Sequence, residues 1–379
     1  MKGRLLALIV GMLLVGVVPA TASAASFGEQ TAGQDAANQQ TATSGANSTQ
    51  IAPTNENISV RVLSPGDNGN VSQSNNSSAK SGALNANATG QGVSQVQSGG
   101  GAASKALQTA AQFADSEQTA DSKAESKQVH PDNENISVRV LSPGDDGDVD
   151  QSNNSDAKSF AGNKNLTLQK TDQSQGGSGS DMSSPSRDGK DACGCDSGSK
   201  AIQAAGQDAI NKQDAKSEAT SKQIKPVNQN DPVRVLSKGD NGDVDQSNNS
   251  DAESFAGNLN FTKQDITQFQ AGMSGGCCDD VVTKRDPCGC LGHSTGIQAA
   301  GQDAFNKQDA MSFADSEQIA PLNDNEPLRL KHSDGDNGDV SQENNSSATS
   351  KSLNVNKLLQ LLQQLQDLSG GGGVIREEA

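Results

Sequence analysis

The chain has no tryptophan and no tyrosine, and only eight phenylalanines in 379 residues. Apolar residues make up 31% of it, and much of that share is alanine. Burial of aromatic and branched side chains normally offsets the conformational entropy lost on ordering. With so few of them, a thick hydrophobic core is excluded. The chain either stays disordered or orders through backbone and polar side-chain pairing. Positive charge is also scarce, with 29 Lys and Arg against 46 Asp and Glu and a net charge of -17. That balance argues against nucleic acid and anionic membrane as partners. Three histidines and no aromatic-lined pocket argue against an enzyme, and no cofactor is expected.

Long hydrophobic runs are limited to one. Leu5 to Val18 is apolar, follows the basic start Met1-Lys2-Gly3-Arg4, and precedes Ala22-Ser23-Ala24. It is shorter than the ~20 residues a spanning helix needs. The pattern is that of a cleaved secretory signal over 1–24, with an A-x-A processing site. An uncleaved anchor is the alternative. No second such run exists, so no membrane insertion is expected after cleavage. The protein is expected outside the cell or on its surface.

What the chain has in abundance is repetition. Four copies of one unit are marked by Ile58-Ser-Val-Arg-Val-Leu-Ser-Pro-Gly-Asp-Asn-Gly69, its counterpart from Ile136, Val233-Arg-Val-Leu-Ser-Lys-Gly-Asp-Asn-Gly242, and the degenerate Leu328-Arg-Leu-Lys-His-Ser-Asp-Gly-Asp-Asn-Gly338. Each unit begins with an alternating polar head, such as Gln207, Asn211, Gln213, Ala215, Ser217, Ala219, Ser221 and Gln223. Copy one repeats that head at Gln34, Asn38, Gln40, Ala42, Ser44, Ala46, Ser48 and Gln50. The middle places Ile58, Val60 and Val62 on one parity and Ser59, Arg61 and Leu63 on the other. Beta-branched residues at period two, followed by Pro-Gly-Asp-Asn-Gly, predict a strand running into a turn.

The tail carries the strongest signal. Copy one has Gln73, Asn75, Ser77, Ala79, Ser81, Ala83, Asn85, Asn87, Thr89 and Gln91 on one parity. Copy two repeats all ten, including Gln151, Asn153, Asn163, Asn165 and Gln169. Copy three does the same, including Gln246, Asn248, Asn258, Asn260 and Gln264. The other parity drifts: Lys80, Lys158 and Glu253 occupy one position, and Ala88, Leu166 and Phe261 another. A strand exposes alternate residues to opposite faces. The fixed parity is therefore packed and the drifting one faces something permissive. Stacked Asn and Gln bond to their equivalents above and below, and small Ala and Ser let sheets approach closely. Ten alternate positions exceed a usual strand, so a break is expected near Ser81/Gly82 and its equivalents.

These features predict a mainly β fold: four repeat modules of alternating Gln/Asn/Ser/Ala strands, β-solenoid or cross-β-like, joined by disordered Gly/Ser linkers. The units are expected as separate modules on flexible spacers, at 25–97, 98–175, 200–270 and 296–355, with linkers at 176–199 and 271–295. At the end, Leu358, Leu361, Leu362, Leu365 and Leu368 recur at helical spacing, which predicts an amphipathic helix over 356–368 before a tail at 369–379. That stripe is expected to dock on a partner or to cap the fourth unit.

Three further features resemble sites. Asp145, Asp148, Asp240, Asp243, Asp336 and Asp339 sit in Asp/Asn/Gly turns that look like calcium loops. The bidentate Glu twelve residues from the start of such a loop is missing, since Asn345 stands there, and a hairpin turn explains the residues as well. Cys193, Cys195, Cys277, Cys278, Cys288 and Cys290 fall in the linkers. An even count in an exported chain predicts disulfides, with a soft-metal cluster near His293 as the alternative. His130, His293 and His332 are scattered and expected to be solvated.

The motifs Gln-x-Asn-x-Ser-x-Ala and Asn-x-Thr-x-Gln in an exported chain resemble the curlin repeats of bacterial curli-type amyloid. That resemblance implies inward Gln and Asn ladders, a strand–turn–strand rung per repeat, and polymerisation into extracellular fibres with the chain as its own partner. Val62-Leu63-Ser64-Pro65 followed by Gln73-Ser74-Asn75 resembles a stretch of the actinobacterial rodlins, which implies the outer layer of hyphae or spores and contact with other surface-layer proteins. The expected function is thus a secreted structural protein of the cell or spore surface. The alternatives are a disordered coat or spacer protein and a calcium-binding repeat adhesin.

Overall fold

The computed structural model describes residues 13–14, 18–23, 27–98, 105–176, 200–271 and 295–367. Two short strands, β1 (Leu13–Leu14) and β2 (Val18–Ser23), precede the repeats. Each copy then contributes a long head strand, a short middle strand and a longer tail strand. The heads are β3 (Phe27–Ile51), β6 (Lys105–Val129), β9 (Lys200–Ile224) and β12 (Thr295–Ile319). The middles are β4 (Thr54–Val62), β7 (Asp132–Val140), β10 (Val227–Val235) and, in copy four, β13 (Leu322–Asn325) with β14 (Leu328–Leu330). The tails are β5 (Val71–Ser98), β8 (Val149–Gly176), β11 (Val244–Ala271) and β15 (Val340–Asp367). No helix occurs among the described residues.

Each element pairs with its counterpart in the next copy, parallel and in register, so heads, middles and tails form three sheets. One repeat is therefore one rung, and the four repeats form a single stack, with rungs separated by ~4.8 Å. Repeats expected as separate modules are layers of one body. Each layer has only a thin interior of its own, head against tail, and completes its burial against its neighbours.

Within a rung the chain makes a long, flat U. The head and middle lie along one side and the tail returns along the other. Gln34 thus donates to Gly92 O, Gln40 to Ala86 O and Arg61 to Asn68. The head-to-middle corner falls at Ala52, His130, Lys225 and Ala320, and the middle ends at Leu63, Leu141, Leu236 and Lys331, all with φ near +50°. The identical conformation in every layer is what keeps the rungs in register.

Two further expectations need correction here. The tail does not break at Ser81/Gly82. It is one 28-residue strand in every copy, because each inner tail is paired along its length on both edges. The helix over 356–368 is absent too: these residues up to Asp367 continue β15, in register with β11 from Asn260 to Ala271. Leu368 lies outside the described residues. The reason is that Asn354, Asn356, Gln360, Gln364 and Gln366 continue the ladder parity, and Gln360, Gln364 and Gln366 bond to Gln264, Gln268 and Gln270. An isolated helix of a dozen residues is marginal in water, and a template strand beside it prevails.

Candidate assembly interface

The interior is polar. Gln128, Gln151, Gln173, Gln203, Asn153 and Asn260 are among its fully buried members. Their amides bond in columns. Gln151 Nε2 donates to Gln73 Oε1 at 2.8 Å, and Gln246 Nε2 to Gln151 Oε1 at 2.9 Å. The same Gln151 amide reaches across the core to Asn133 O and Gln229 O at 3.0 Å. Each such bond contributes about 1 kcal/mol net. Loss of a partner costs more than the bond gains, because the amide is left buried and unsatisfied.

Between the amide columns the sheets close onto small side chains. Ala79, Ala124, Ala157, Ala219 and Ala252 form one buried alanine cluster, and Ala83, Ala120, Ala161, Ala215 and Ala256 a second. Serine hydroxyls zip across them, as Ser126 does to Ser77 and Ser155 at 2.9 and 2.8 Å. The ladder residues Asn75, Asn85, Asn87, Asn163, Asn165, Gln91, Gln169, Asn248, Asn258 and Gln264 all face this interior.

The columns have direction. Glutamines donate toward the first rung, as in Gln203 to Gln108 and Gln298 to Gln203. Inward asparagines donate toward the fourth, as in Asn75 to Asn153, Asn153 to Asn248 and Asn248 to Asn344. The fourth-rung end therefore turns glutamine Oε1 and asparagine Nδ2 outward, and the first-rung end turns out the opposite groups.

The middle strand inverts the usual placement. Asn133, Asn135, Ser137 and Arg139 point inward, while Ile58 is 55% and Val60 62% exposed at the stack end. Arg139 and Arg234 are fully buried. Together with Arg61 and Arg329 they form a column in register. Each arginine holds its own turn: Nε bonds to Asn68, Asp146, Asn241 or Asn337, and Nη2 to the carbonyl of Asp67, Asp145, Asp240 or Asp336. Nη1 reaches the rung below, from Arg139 to Gly66 O, Arg234 to Gly144 O and Arg329 to Gly239 O, at 2.8 to 2.9 Å. Desolvation lowers the pKa of Arg234, with Arg139 and Arg329 adding to the effect and Asp146 opposing it. The sequence did carry a signal for this column, since an arginine precedes the turn at the same place in all four copies.

The calcium-loop residues line up as exposed columns. Asp240 N donates to Asp145 Oδ1, and Asp336 N to Asp240 Oδ1. Asp243 N likewise bonds to Asp148, and Asp339 N to Asp243. They serve as turn-to-turn clasps, and their carboxylates do not converge on a point. Among the described residues no three His, Cys, Asp or Glu side chains form a group able to hold a metal ion. The six cysteines and His293 lie outside the described residues. Elsewhere on the outer faces, desolvation raises the carboxyls of Asp132, Glu134, Asp208 and Asp214. Glu56 beside Asp132, Asp303 beside Asp208 and Asp309 beside Asp214 reinforce it.

The strand edges of the two end rungs complete the site. β12 and β15 form one end, and β3 and β5 the other. On the first-rung end, β1 and β2 already lie parallel against β5 at Thr89–Gly90 and Val93–Ser98. No protein-family model, curated protein or solved structure matches this chain.

Proposed function

We propose that the chain is a secreted structural protein of the cell or spore surface that assembles with copies of itself into β-rich fibres or a surface layer. One observation carries this reading: the stack is held by bonds that recur from rung to rung, and among the described residues it ends on an open edge at the fourth rung and on the open head and middle edges of the first. An edge of parallel strands is a template for another chain. Here the template extends over the whole width of a rung. The acidic, permissive outer faces suit a solvated exterior, and the apolar leader suits export. Chemistry on a substrate is no part of this reading, because the interior is filled by paired amides.

Sedimentation velocity and fibre diffraction on the exported chain test it. Elongated assemblies with a meridional spacing of ~4.8 Å are expected on ageing. A chain that stays monomeric at every concentration tried would sink the reading.

A further inference from the structure

The turn after the middle strand carries a glycine at the same place in every rung: Gly69, Gly147, Gly242 and Gly338. In three of them the reason lies inside the chain. A Cβ on Gly147 would come within 2.5 Å of Gly69 O and Asn70 N in the rung below. Gly242 and Gly338 have φ of +73° and +76°, and their Cβ atoms would run into Gly147 O and Gly242 O. Gly69 has neither reason. Its φ is not positive, and nothing lies within 4 Å of a Cβ placed on it. That Cβ would point below the first rung, where none of the described residues supplies a turn. Arg61 gives the same picture: its equivalents send Nη1 to a glycine carbonyl one rung lower, and among the described residues no rung lies beneath Arg61.

Resting on the self-assembly reading above, we infer that the first-rung turn is a docking surface for the fourth-rung turn of a second copy, stacked head to tail by translation alone. Gly69 then packs on Gly338 of that copy, and Arg61 donates to its Gly335 carbonyl. Amide direction agrees, because the two ends offer complementary donors and acceptors. Charge is eased at two outward columns, whereas Asp35 meets Asp303 and Glu56 meets Asp324 at the same junction, as acidic residues already stack within the chain. The two eased columns read Ser72–Asp150–Asp245–Ser341 and Ser78–Asp156–Asp251–Ser347. Both replace aspartate by serine at each end, so the junction brings serine to serine instead of stacking like charges. The neighbouring β5 edge accepts strands in this geometry, as β1 and β2 show. Those strands occupy the edge until the leader is removed, so the exported chain is the competent species. Such an interface is heterologous and does not close, and therefore propagates as a filament.

Gly69→Ala tests this in the exported chain. Its circular dichroism and unfolding midpoint are expected to match wild type, while the rate of seeded growth falls at least tenfold. A second variant, Ser72→Cys with Ser341→Cys, reports the register directly. Within one chain these positions lie three rungs apart, ~14 Å, beyond the ~7 Å Cα limit of a disulfide. Under oxidation, peptide mapping of the assembled material should find 72–341 links between copies. Unchanged growth of a folded Gly69→Ala chain, or links only of the 72–72 and 341–341 kind, would overturn the junction while leaving self-assembly standing. If Gly69→Ala fails to fold, the cysteine pair decides alone. Failure of wild type to assemble at all removes the parent reading instead.

Discussion

Arg234 reaches down one rung to Asp146, donating from Nη2 to Oδ2 at 2.9 Å. The other carboxylate oxygen of Asp146 accepts from Arg139 Nε at 2.7 Å. One buried carboxylate thus serves two buried guanidiniums in adjacent layers. The other three rungs place an asparagine, Asn68, Asn241 or Asn337, at that point. Leaving a buried charge without its partner costs about 3–5 kcal/mol. Asp146→Leu should therefore destabilise the stack by about that much in denaturant unfolding. Asp146→Asn should cost less, because an asparagine oxygen still accepts from Arg139 Nε, as Asn241 does from Arg234, and only the counter-charge is lost. Equal effects of the two substitutions would contradict this account.

Parity in the tail gives a second expectation. Replacing Gln151, Asn153, Asn163, Asn165 and Gln169 with Asp puts stacked charges into a dry interior and should abolish the β signal in circular dichroism. Aspartates at Lys158, Lys164, Leu166 and Lys170 face solvent and should be far milder. Loss of structure from both sets alike would refute the inward and outward assignment.

Amide hydrogen exchange distinguishes a terminal strand from a terminal helix. As an edge strand, β15 can donate only alternate N–H groups to β11. In the unassembled chain, residues 356–367 should exchange with a period of two, slow and fast in turn. A run of consecutive slow amides there would mean a helix.

The raised carboxyls fix the sign of the response to pH. Asp132, Glu134, Asp208 and Asp214 have folded pKa values above their unfolded ones, chiefly through desolvation. Their ionised forms disfavour folding, and that penalty is relieved as pH falls through the raised values toward the ordinary carboxylate range. The unfolding midpoint should rise as pH is lowered from neutral toward the ordinary carboxylate range. Asp132→Asn combined with Asp208→Asn should flatten the rise. A midpoint that falls steadily over that interval would show that other groups dominate.

The inward face of the tails could be read from the chain because the constraint acts locally, position by position, and was written three times over. The rest was hidden for identifiable reasons. Leu358, Leu361, Leu362 and Leu365 fall at helical spacing within the same residues that carry Gln360, Gln364 and Gln366. The leucines give a local signal, whereas the glutamines matter only beside Gln264, Gln268 and Gln270 nearly a hundred residues earlier. The middle strand misleads in the same way. Ile58, Val60 and Val62 look like its core face, yet the inward face belongs to Arg61, whose partners sit on a turn and in the next rung. Strand length exceeds the usual limits because those describe sheets with ragged neighbours, whereas these strands have neighbours of equal length in register.

The opposed directions of the amide columns have an electrostatic consequence. Aligned peptide groups in a helix add up to a macrodipole with charge at its ends. A stack of side-chain amides all pointing one way would build such a moment along its axis, and it would grow with every layer. Here the glutamine columns, as in Gln246 to Gln151, run against the inward asparagine columns, as in Asn153 to Asn248. Their moments oppose each other and partly cancel, so each added layer contributes less to the axial moment than columns all running one way would.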